Sequence, residues 1–199
     1  MLGGPLRSRT AIDVTPVVLL AALSLGVVSL SVPQERPLVL HIAGLAVGSR
    51  SQDADVVTKF GPGCFVPDEP HAGGRYFTNP KQSLTLHAVV GVDMVTEALE
   101  LRTGLHLPDS CRAPGADTNL VTSKLSEPPE IDHGVHLGMS RATLVRLLGE
   151  PDTVHVSGGS EVLSYEAYYE DDPRVSLFYD GRYEFLEGIL VALSISDGD

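Results

Sequence analysis

The sequence contains no tryptophan, only two cysteines and few basic residues. Its 14 Lys and Arg residues stand against 26 Asp and Glu residues, which gives a formal net charge of −12 at pH 7. Nucleic-acid binding needs a basic patch that neutralises phosphates, so this composition argues against it. The negative charge favours solubility and a basic partner. The apolar fraction of 43% is typical of globular chains and argues against disorder throughout.

Familiar catalytic and metal-binding motifs are also missing. The chain has no Gly-x-Ser-x-Gly, His-Glu-x-x-His or Ser-x-x-Lys motif and no phosphate-binding loop. His133 and His136 stand three positions apart, but no Cys or acidic residue accompanies them at metal-ligand spacing. We interpret them as solvated loop histidines. The sequence therefore predicts no catalytic residue, no metal and no cofactor.

The N-terminal segment differs from the rest of the chain. Arg7 and Arg9 precede an apolar run over residues 14–32, in which Ser29 and Ser31 form the small-x-small pattern of a signal-peptidase site. Residues 1–33 thus predict a secretory signal peptide. A retained membrane anchor is the alternative, because the run is long enough to be borderline for spanning. We expect an exported protein, periplasmic or extracellular, that touches membrane only through residues 14–32 if they are not cleaved.

Export changes how the two cysteines are interpreted. Cys64 and Cys111 both lie in loop-like surroundings rich in Gly, Pro and Asp. In an oxidising compartment one disulfide between them is the economical assignment. Two unrelated thiols are the alternative.

One supersecondary pattern occurs twice, in VGSRSQDADVVTKFGPG (residues 47–63) and in LGMSRATLVRLLGEPD (residues 137–152). Each contains Gly and Ser, then a short apolar-faced helix, a Gly stop and a nearby Pro. The second helix is predicted from about Arg141 to Leu148, with Ser140 as its N-cap. In the first copy, Ser49 with Gln52 fits a capping box.

Each predicted helix is followed by segments of period two with no helix between them, so the strands should be antiparallel and the fold class α+β. Asp180–Gly181 predicts a tight hairpin turn, while Gly188 is either a bulge or the true turn. The prediction is two tandem modules, each a short helix packed on an antiparallel sheet of three to four strands. The first and degenerate copy covers 34–112, a linker covers 113–129, and the second copy covers 130–199.

The motif GMS-helix-LGEPD, followed by an aromatic strand and the segment FYDG, resembles two related groups of proteins. These are the β-lactamase-inhibitor-protein-like domains and the small outer-membrane assembly lipoproteins of bacteria. The resemblance implies a module that serves as a protein-binding surface, an envelope assembly factor or an inhibitor. Two departures matter: the chain lacks the lipidated Cys of the lipoproteins, and no binding residue of the inhibitor can be matched to it.

Seven of the eleven aromatic residues fall within residues 165–185. Alternate residues of a strand point to opposite faces. If Tyr165, Tyr169 and Tyr179 pack under the helix, Tyr168 and Phe178 face the other side. That second face, rimmed by Glu166, Glu170 and Glu184, would suit protein recognition. The alternative is that these rings fill a small core or cover a neighbouring module. The residues predicted to form a binding surface are Tyr168, Phe178, Tyr183, Glu166 and Glu170.

These observations predict an exported, non-enzymatic cell-envelope protein that acts as a protein-binding module in assembly or scaffolding. Its partner would be another protein, basic or located in the envelope. A secreted enzyme inhibitor that binds through a concave sheet face is the alternative. An enzyme or small-ligand carrier is a third hypothesis, which requires an apolar pocket with convergent polar groups.

Overall fold

The protein is mainly β, with two helices and one large antiparallel sheet in the part of the chain that the structure describes. The structure is a computed structural model and describes residues 36–68, 71–112, 124–125, 129–172 and 175–198. The α+β class predicted from the sequence is confirmed. The predicted signal or anchor segment lies outside the described residues, as does most of the predicted linker.

The two helices have equal length: α1 spans Asp53–Phe60 and α2 spans Arg141–Leu148. Two short 3₁₀ turns, Asp109–Cys111 and Asp132–Gly134, lie between β7 and α2 in chain order. The strands, in chain order, are β1 His41–Ile42, β2 Leu45–Ala46, β3 Gly48–Gln52, β4 Cys64–Val66, β5 Gly73–Asn79, β6 Leu84–Val90, β7 Val95–Thr103, β8 Thr153–Ser157, β9 Ser160–Asp172, β10 Val175–Leu186 and β11 Ile189–Gly198.

The large sheet has the strand order β4-β5-β6-β7-β11-β10-β9-β8, with β3 paired to β7 beside this path. All its neighbouring strands run antiparallel. Each helix is followed by four strands. The last strand of each set, β7 and β11, pair at the centre, where Leu101 lies opposite Leu193 and Leu99 opposite Ile195. The strands assigned to the two predicted modules therefore join in one sheet, and both modules lie in one compact unit of the chain, Glu35–Asp199.

Local signals place α2 where the sequence predicts it. The side chain of Ser140 accepts a hydrogen bond from the backbone N–H of Thr143 at 3.2 Å, as an N-cap residue should. Gly149 follows the last turn at φ 85°, a conformation that favours glycine. Leu144 and Leu148 are buried on the sheet, so the predicted bounds and the predicted N-cap are both confirmed.

The N-cap predicted for α1 is wrong. The helix begins after Gln52, whose backbone N–H donates to the Asp55 carboxylate at 3.0 Å. Ser49 instead lies in β3, because Gly48–Gln52 pairs with the start of β7. Hydrogen bonds to a neighbouring strand have replaced the extra helical turn that the local sequence offered.

Side chains on the second strand after each helix hold the helix ends. Arg75 on β5 donates two hydrogen bonds of 2.6 Å to the carboxylate of Asp53, the first residue of α1, and one of 2.5 Å to the carbonyl of Pro62 beyond its end. The hydroxyl of Tyr165 on β9 donates to the carbonyl of Gly149, just past α2, at 3.0 Å. Both helices are too short to be stable alone, so these anchors add to the packing that holds them.

The apolar core lies between the helices and one face of the large sheet. Its residues come from both helices and from alternate positions of the strands, as the pleat requires. Those on the helices and the large sheet include Phe60, Phe77, Leu86, Leu99, Leu101, Leu144, Leu148, Leu163, Tyr165, Tyr179, Tyr183, Phe185, Leu193 and Ile195, and Ile42, Leu45, Ile131 and Met139 add to them from other segments.

The turn predicted at Asp180–Gly181 is wrong, because β10 continues through it. Gly181 has no side chain at the point where the Tyr179 ring crosses its own strand, and a Cβ there would lie 2.6 Å from the ring carbon Cζ of Tyr179. The glycine thus marks a close approach within a strand. The actual hairpin turn is Glu187–Gly188, both at positive φ, between the paired residues Leu186 and Ile189.

Candidate functional site

The face of the sheet opposite the helices carries mostly polar side chains, and we call it the polar face. It consists of the strand positions that alternate with the core residues. Its members are Tyr76, His87, Glu100, Arg102, Ser164, Glu166, Tyr168, Phe178, Asp180, Arg182, Glu184 and Ser194. Neither α1 nor α2 lies on this side, so it is the surface where a binding site is sought.

An ion-pair group joins the two halves of the sheet at the middle of the polar face. Arg102 on β7 lies 3.0 Å from a carboxylate oxygen of Glu100 and 3.0 Å from one of Glu184 on β10. Ala192 of the intervening strand stands in register between Arg102 and Glu184, and its small side chain leaves room for the contact. A cavity of about 220 Å³ opens here, lined in part by these three charged residues. These three side chains hold fixed charges where the set β4–β7 meets the set β8–β11.

Next to this group, Tyr76 and His87 stack with ring centroids 4.2 Å apart. Nδ1 of His87 lies 3.7 Å from a carboxylate oxygen of Glu100, which is longer than a good hydrogen bond. The neighbouring His87, and then Arg102, hold the pKa of Glu100 below its usual value, although burial acts in the opposite direction. Burial, followed by the charge of Glu100, raises the pKa of the Tyr76 hydroxyl.

The second half of the polar face carries an aromatic pair beside charged groups. Tyr168 and Phe178 lie directly opposite each other on β9 and β10, with ring centroids 5.2 Å apart. Tyr168 is 79% exposed, whereas Phe178 is partly buried. Glu166 is exposed and stands opposite Asp180, which forms an ion pair of 2.8 Å with Arg182. An exposed tyrosine supported by a second ring is typical of residues that anchor protein partners.

Tyr183 does not belong to this surface, and its predicted binding role is wrong. It is fully buried in the core, where its hydroxyl lies 3.1 Å from that of Tyr179. Burial raises the pKa of Tyr183 well above its usual value and that of Tyr179 to about 12. The side chain of Glu170, also predicted at the site, lies outside the described part of the chain.

The aromatic cluster is therefore divided between the two faces. Tyr165 and Tyr179 pack under the helices, together with Tyr183 and Phe185. Tyr168 and Phe178 lie on the polar face. The side chain of Tyr169, expected in the core, lies outside the described part. Core filling and surface exposure, the two alternatives left open by the sequence, each hold for some of the rings.

The predicted disulfide is present and ties a chain segment over one end of the polar face. Cys64 on β4 and Cys111 are bonded, with their Cα atoms 5.8 Å apart. The hydroxyl of Thr85 on β6 donates to the Gly104 carbonyl at 2.8 Å and accepts from the His106 backbone N–H at 2.9 Å. These contacts hold residues 104–112 against β4–β6. The other end of the polar face, at β9 and β10, carries no such described segment.

Sequence reasoning named Glu184 on this face but missed the other charged residues at the middle of the polar face. Its signal is a period of two: Glu100 and Arg102 alternate with core leucines on β7, and Asp180, Arg182 and Glu184 alternate with core residues on β10. Alternation predicts which charges share a face. It does not predict which charges of distant strands meet.

Nothing in the arrangement resembles a metal centre or a membrane-spanning helix. Among the residues that the structure describes, no three His, Cys, Asp or Glu side chains are placed to hold a metal ion. In the same residues, no helix has the length and apolar character needed to cross a membrane. The chemical groups that the polar face presents are fixed charges, ring faces and hydroxyl groups.

Comparisons with known proteins identify no family. No protein-family description and no curated protein matches the chain. The chain is similar to the solved structure of a DUF4309 family protein, YjgB, from Bacillus subtilis, with 13% sequence identity and a TM-score of 0.43. The match covers 78% of this chain and 83% of that one. At this level the likeness indicates no function, and the resemblance to inhibitor-like and lipoprotein-like modules stays a prediction.

Proposed function

We propose that this chain is an exported, non-enzymatic cell-envelope protein that binds another protein through the polar face of its sheet. The observation that carries the proposal is the Tyr168–Phe178 pair, with Tyr168 79% exposed beside Glu166 and Asp180. Large aromatic side chains are usually buried, and exposed ones with a polar rim mark interaction surfaces.

We further propose that the fold arose from two copies of one module, each a helix followed by four antiparallel strands. Three observations support this. Both helices have eight residues, and both end at a glycine with nearly the same backbone angles, φ 88° and ψ −172° at Gly61 and φ 85° and ψ −173° at Gly149. The strand order is the same when read inward from either edge, β4 to β7 and β8 to β11.

Export is supported by the disulfide and by the sequence of residues 1–33. Disulfides persist in the periplasm and outside the cell and are rare in the cytosol. The basic start, the apolar run and the small-x-small pattern before residue 33 fit a signal peptide or an anchor. We therefore place the protein in the periplasm or outside the cell, with or without the N-terminal segment attached.

The partner is expected to present a basic surface. The chain has a formal net charge of −12, and the exposed Glu166 lies on the same face as the exposed Tyr168. Charge complementarity of this kind speeds association and selects among partners more than it strengthens binding. Complex formation should accordingly slow down as salt is added.

An enzyme inhibitor is the alternative function, and one observation favours it. The sheet runs without a break from β6 through β7 and β11 to β10, so it joins the two sets of four strands. Arg102 on β7 contacts Glu184 on β10 across this junction. A partner could therefore touch both halves at once. The two functions differ in the partner: an inhibitor would abolish the activity of the enzyme that it captures, whereas an assembly factor would not.

The test compares partner capture by the native chain with capture by the double variant Tyr168→Ala and Phe178→Ala. The bait is exposed to envelope extract, crosslinked, and its partners are identified by mass spectrometry. The matched control is Val92→Ala, which truncates an apolar side chain that is 78% exposed on the β6–β7 turn. We expect the double variant to lose the partner and the control to keep it.

Thermal unfolding of the same variants shows whether a loss of partner capture comes from a loss of folding. Because Tyr168 is mostly exposed, the double variant should melt near the native temperature. Capture that survives the double substitution would refute the proposed surface, and so would a loss of capture that is explained by unfolding.

A further inference from the structure

Strand β8 forms one edge of the large sheet and is unusually open. All five of its residues, Thr153–Ser157, are exposed, with Val154 at 47% and Val156 at 69%. Among the described strands it pairs only with β9. Sheet edges are normally protected by Lys, Pro or a bulge. Strand β8 has neither residue, and its register with β9 is regular from end to end.

The hairpin that joins β8 to β9 determines which backbone groups of β8 point outward. The loop consists of two residues, Gly158 and Gly159, so the flanking residues Ser157 and Ser160 form a hydrogen-bonded pair. Such pairs alternate along an antiparallel ladder. The backbone groups of Ser157, His155 and Thr153 therefore face β9. Those of Val154 and Val156 face away from the sheet, toward solvent.

The sequence of β8, Thr-Val-His-Val-Ser, is nearly the same read in either direction. We propose that β8 pairs antiparallel with β8 of a second copy of this chain, about a two-fold axis through His155. This register sets Val154 opposite Val156 of the other copy, and Thr153 opposite Ser157. The Val154–Val156 pairs are then hydrogen-bonded pairs of the new ladder. This agrees with the outward direction of their backbone N–H and C=O groups.

The side chains fit this pairing on both faces. On the helix side, two valines from each copy form one apolar cluster across the axis. On the polar face, two hydroxyl residues from each copy flank the two His155 rings. Asp152, just before the strand, is held to β9 by its backbone N–H, which donates to the Ser164 carbonyl at 2.9 Å, so the paired segment is Thr153–Ser157 and contains no carboxylate. A C2 contact of this type is isologous and closes, which makes a dimer rather than a fibre.

The opposite edge of the sheet offers no equivalent surface. Strand β4 has only three residues, Cys64–Val66, and the disulfide to Cys111 fastens another segment beside it. Charge complementarity favours a basic protein on the polar face, but it does not select a partner for β8. The near-palindromic sequence of β8 does select one. A second copy is the occupant that matches this sequence residue for residue.

Site-specific crosslinking tests the register directly. Residues at a non-hydrogen-bonded pair have Cα atoms about 4.5 Å apart, within the range that a disulfide spans. His155→Cys should therefore form a covalent dimer under mild oxidation. Thr153→Cys alone should not, but it should crosslink to Ser157→Cys when the two variants are mixed. Val92→Cys, at a turn away from β8, reports random collisions.

Proline substitutions test whether the outward backbone groups are used. Val156→Pro removes an N–H that faces solvent, so it should abolish self-association in analytical ultracentrifugation while unfolding stays cooperative. His155→Pro removes an N–H that bonds to β9 and should destabilise the fold itself. Should Val156→Pro fail to fold, Val156→Lys places a charge in the apolar cluster and should also yield monomers.

Three outcomes would overturn the proposal. The first is a native chain that stays monomeric up to near-millimolar concentration. This holds also if β8 of the monomer binds an extended peptide instead of a second copy. The second is crosslinking of His155→Cys no faster than that of Val92→Cys. The third is a dimer that persists in folded Val156→Pro or Val156→Lys protein, which would place the contact elsewhere.

Discussion

The buried contact between Arg75 and Asp53 should be the strongest single polar contribution to the stability of the first half. Both side chains are largely buried, 14% and 7% exposed, and their two hydrogen bonds of 2.6 Å form a bidentate pair. Arg75→Met leaves the Asp53 carboxylate buried without its partner and removes the donor to Pro62. Breaking such a pair from one side costs about 3–5 kcal/mol.

A double-mutant cycle separates the pair from its surroundings. Arg75→Met, Asp53→Ala and the double variant are unfolded in urea, and their free energies of unfolding are compared with that of the native chain. Once one partner is gone, removing the other should cost much less. We expect a coupling energy of about 2–3 kcal/mol, near the upper end for contacting residues. Arg146→Met, which replaces an exposed arginine on α2, is the matched control and should change stability by less than about 0.5 kcal/mol.

Additive effects in this cycle would refute the reasoning, because they would show that the two side chains stabilise the fold independently. A small loss of stability in Arg75→Met would also refute it, because it would mean that water reaches the Asp53 carboxylate. The slope of the urea transition should stay unchanged in all variants, because none of them alters the area that unfolding exposes.

Two further predictions concern the disulfide and the charged group of the polar face. The Cys64–Cys111 bond closes a loop with a sequence separation of 47, so its reduction should cost about 4 kcal/mol in the chain-entropy model, measured by urea unfolding with and without reductant. Two free thiols in the denatured, unreduced protein would contradict this bond. The lowered pKa of Glu100 means that its stabilising effect is present above its unfolded value near 4.5 and is lost as the pH falls through the lower folded value. Glu100→Gln should therefore be less stable than the native chain at neutral pH, and the difference should shrink in acid; Glu150→Gln, at an exposed position, is the matched control variant.

Local sequence signals were enough to predict some elements and not others. The second helix could be bounded to the residue, because Ser140 and Gly149 act on the chain next to them. The start of α1 could not be predicted in this way. Ser49 is a plausible N-cap by local sequence, but the segment around it pairs with β7 instead. A strand pairing between residues far apart in sequence competes with a local preference, and only the folded chain shows which one prevails.

The same reasoning explains the error at Tyr183. Residues 179 and 183 share a face if the strand is continuous, and the alternation that buries Tyr179 then buries Tyr183. A turn expected at Asp180–Gly181 would have reset that alternation. Tyr168 and Phe178 lie before the expected turn, so their shared face, opposite that of Tyr179, could be predicted. The contact of Arg102 with Glu184 could not be predicted, because it requires knowing that β11 lies between β7 and β10.

The position of β11 has a consequence for how the protein is made. Of the described strands, the last along the chain, β11, lies in the middle of the sheet, hydrogen-bonded to β7 on one side and to β10 on the other. Until Ile189–Gly198 has been synthesised, β7 and β10 each lack a neighbouring strand at the centre of the sheet, so the sheet cannot close before β11 is made. Loss of the ten residues of β11, Ile189–Gly198, would divide the sheet along its midline rather than shorten it at an edge.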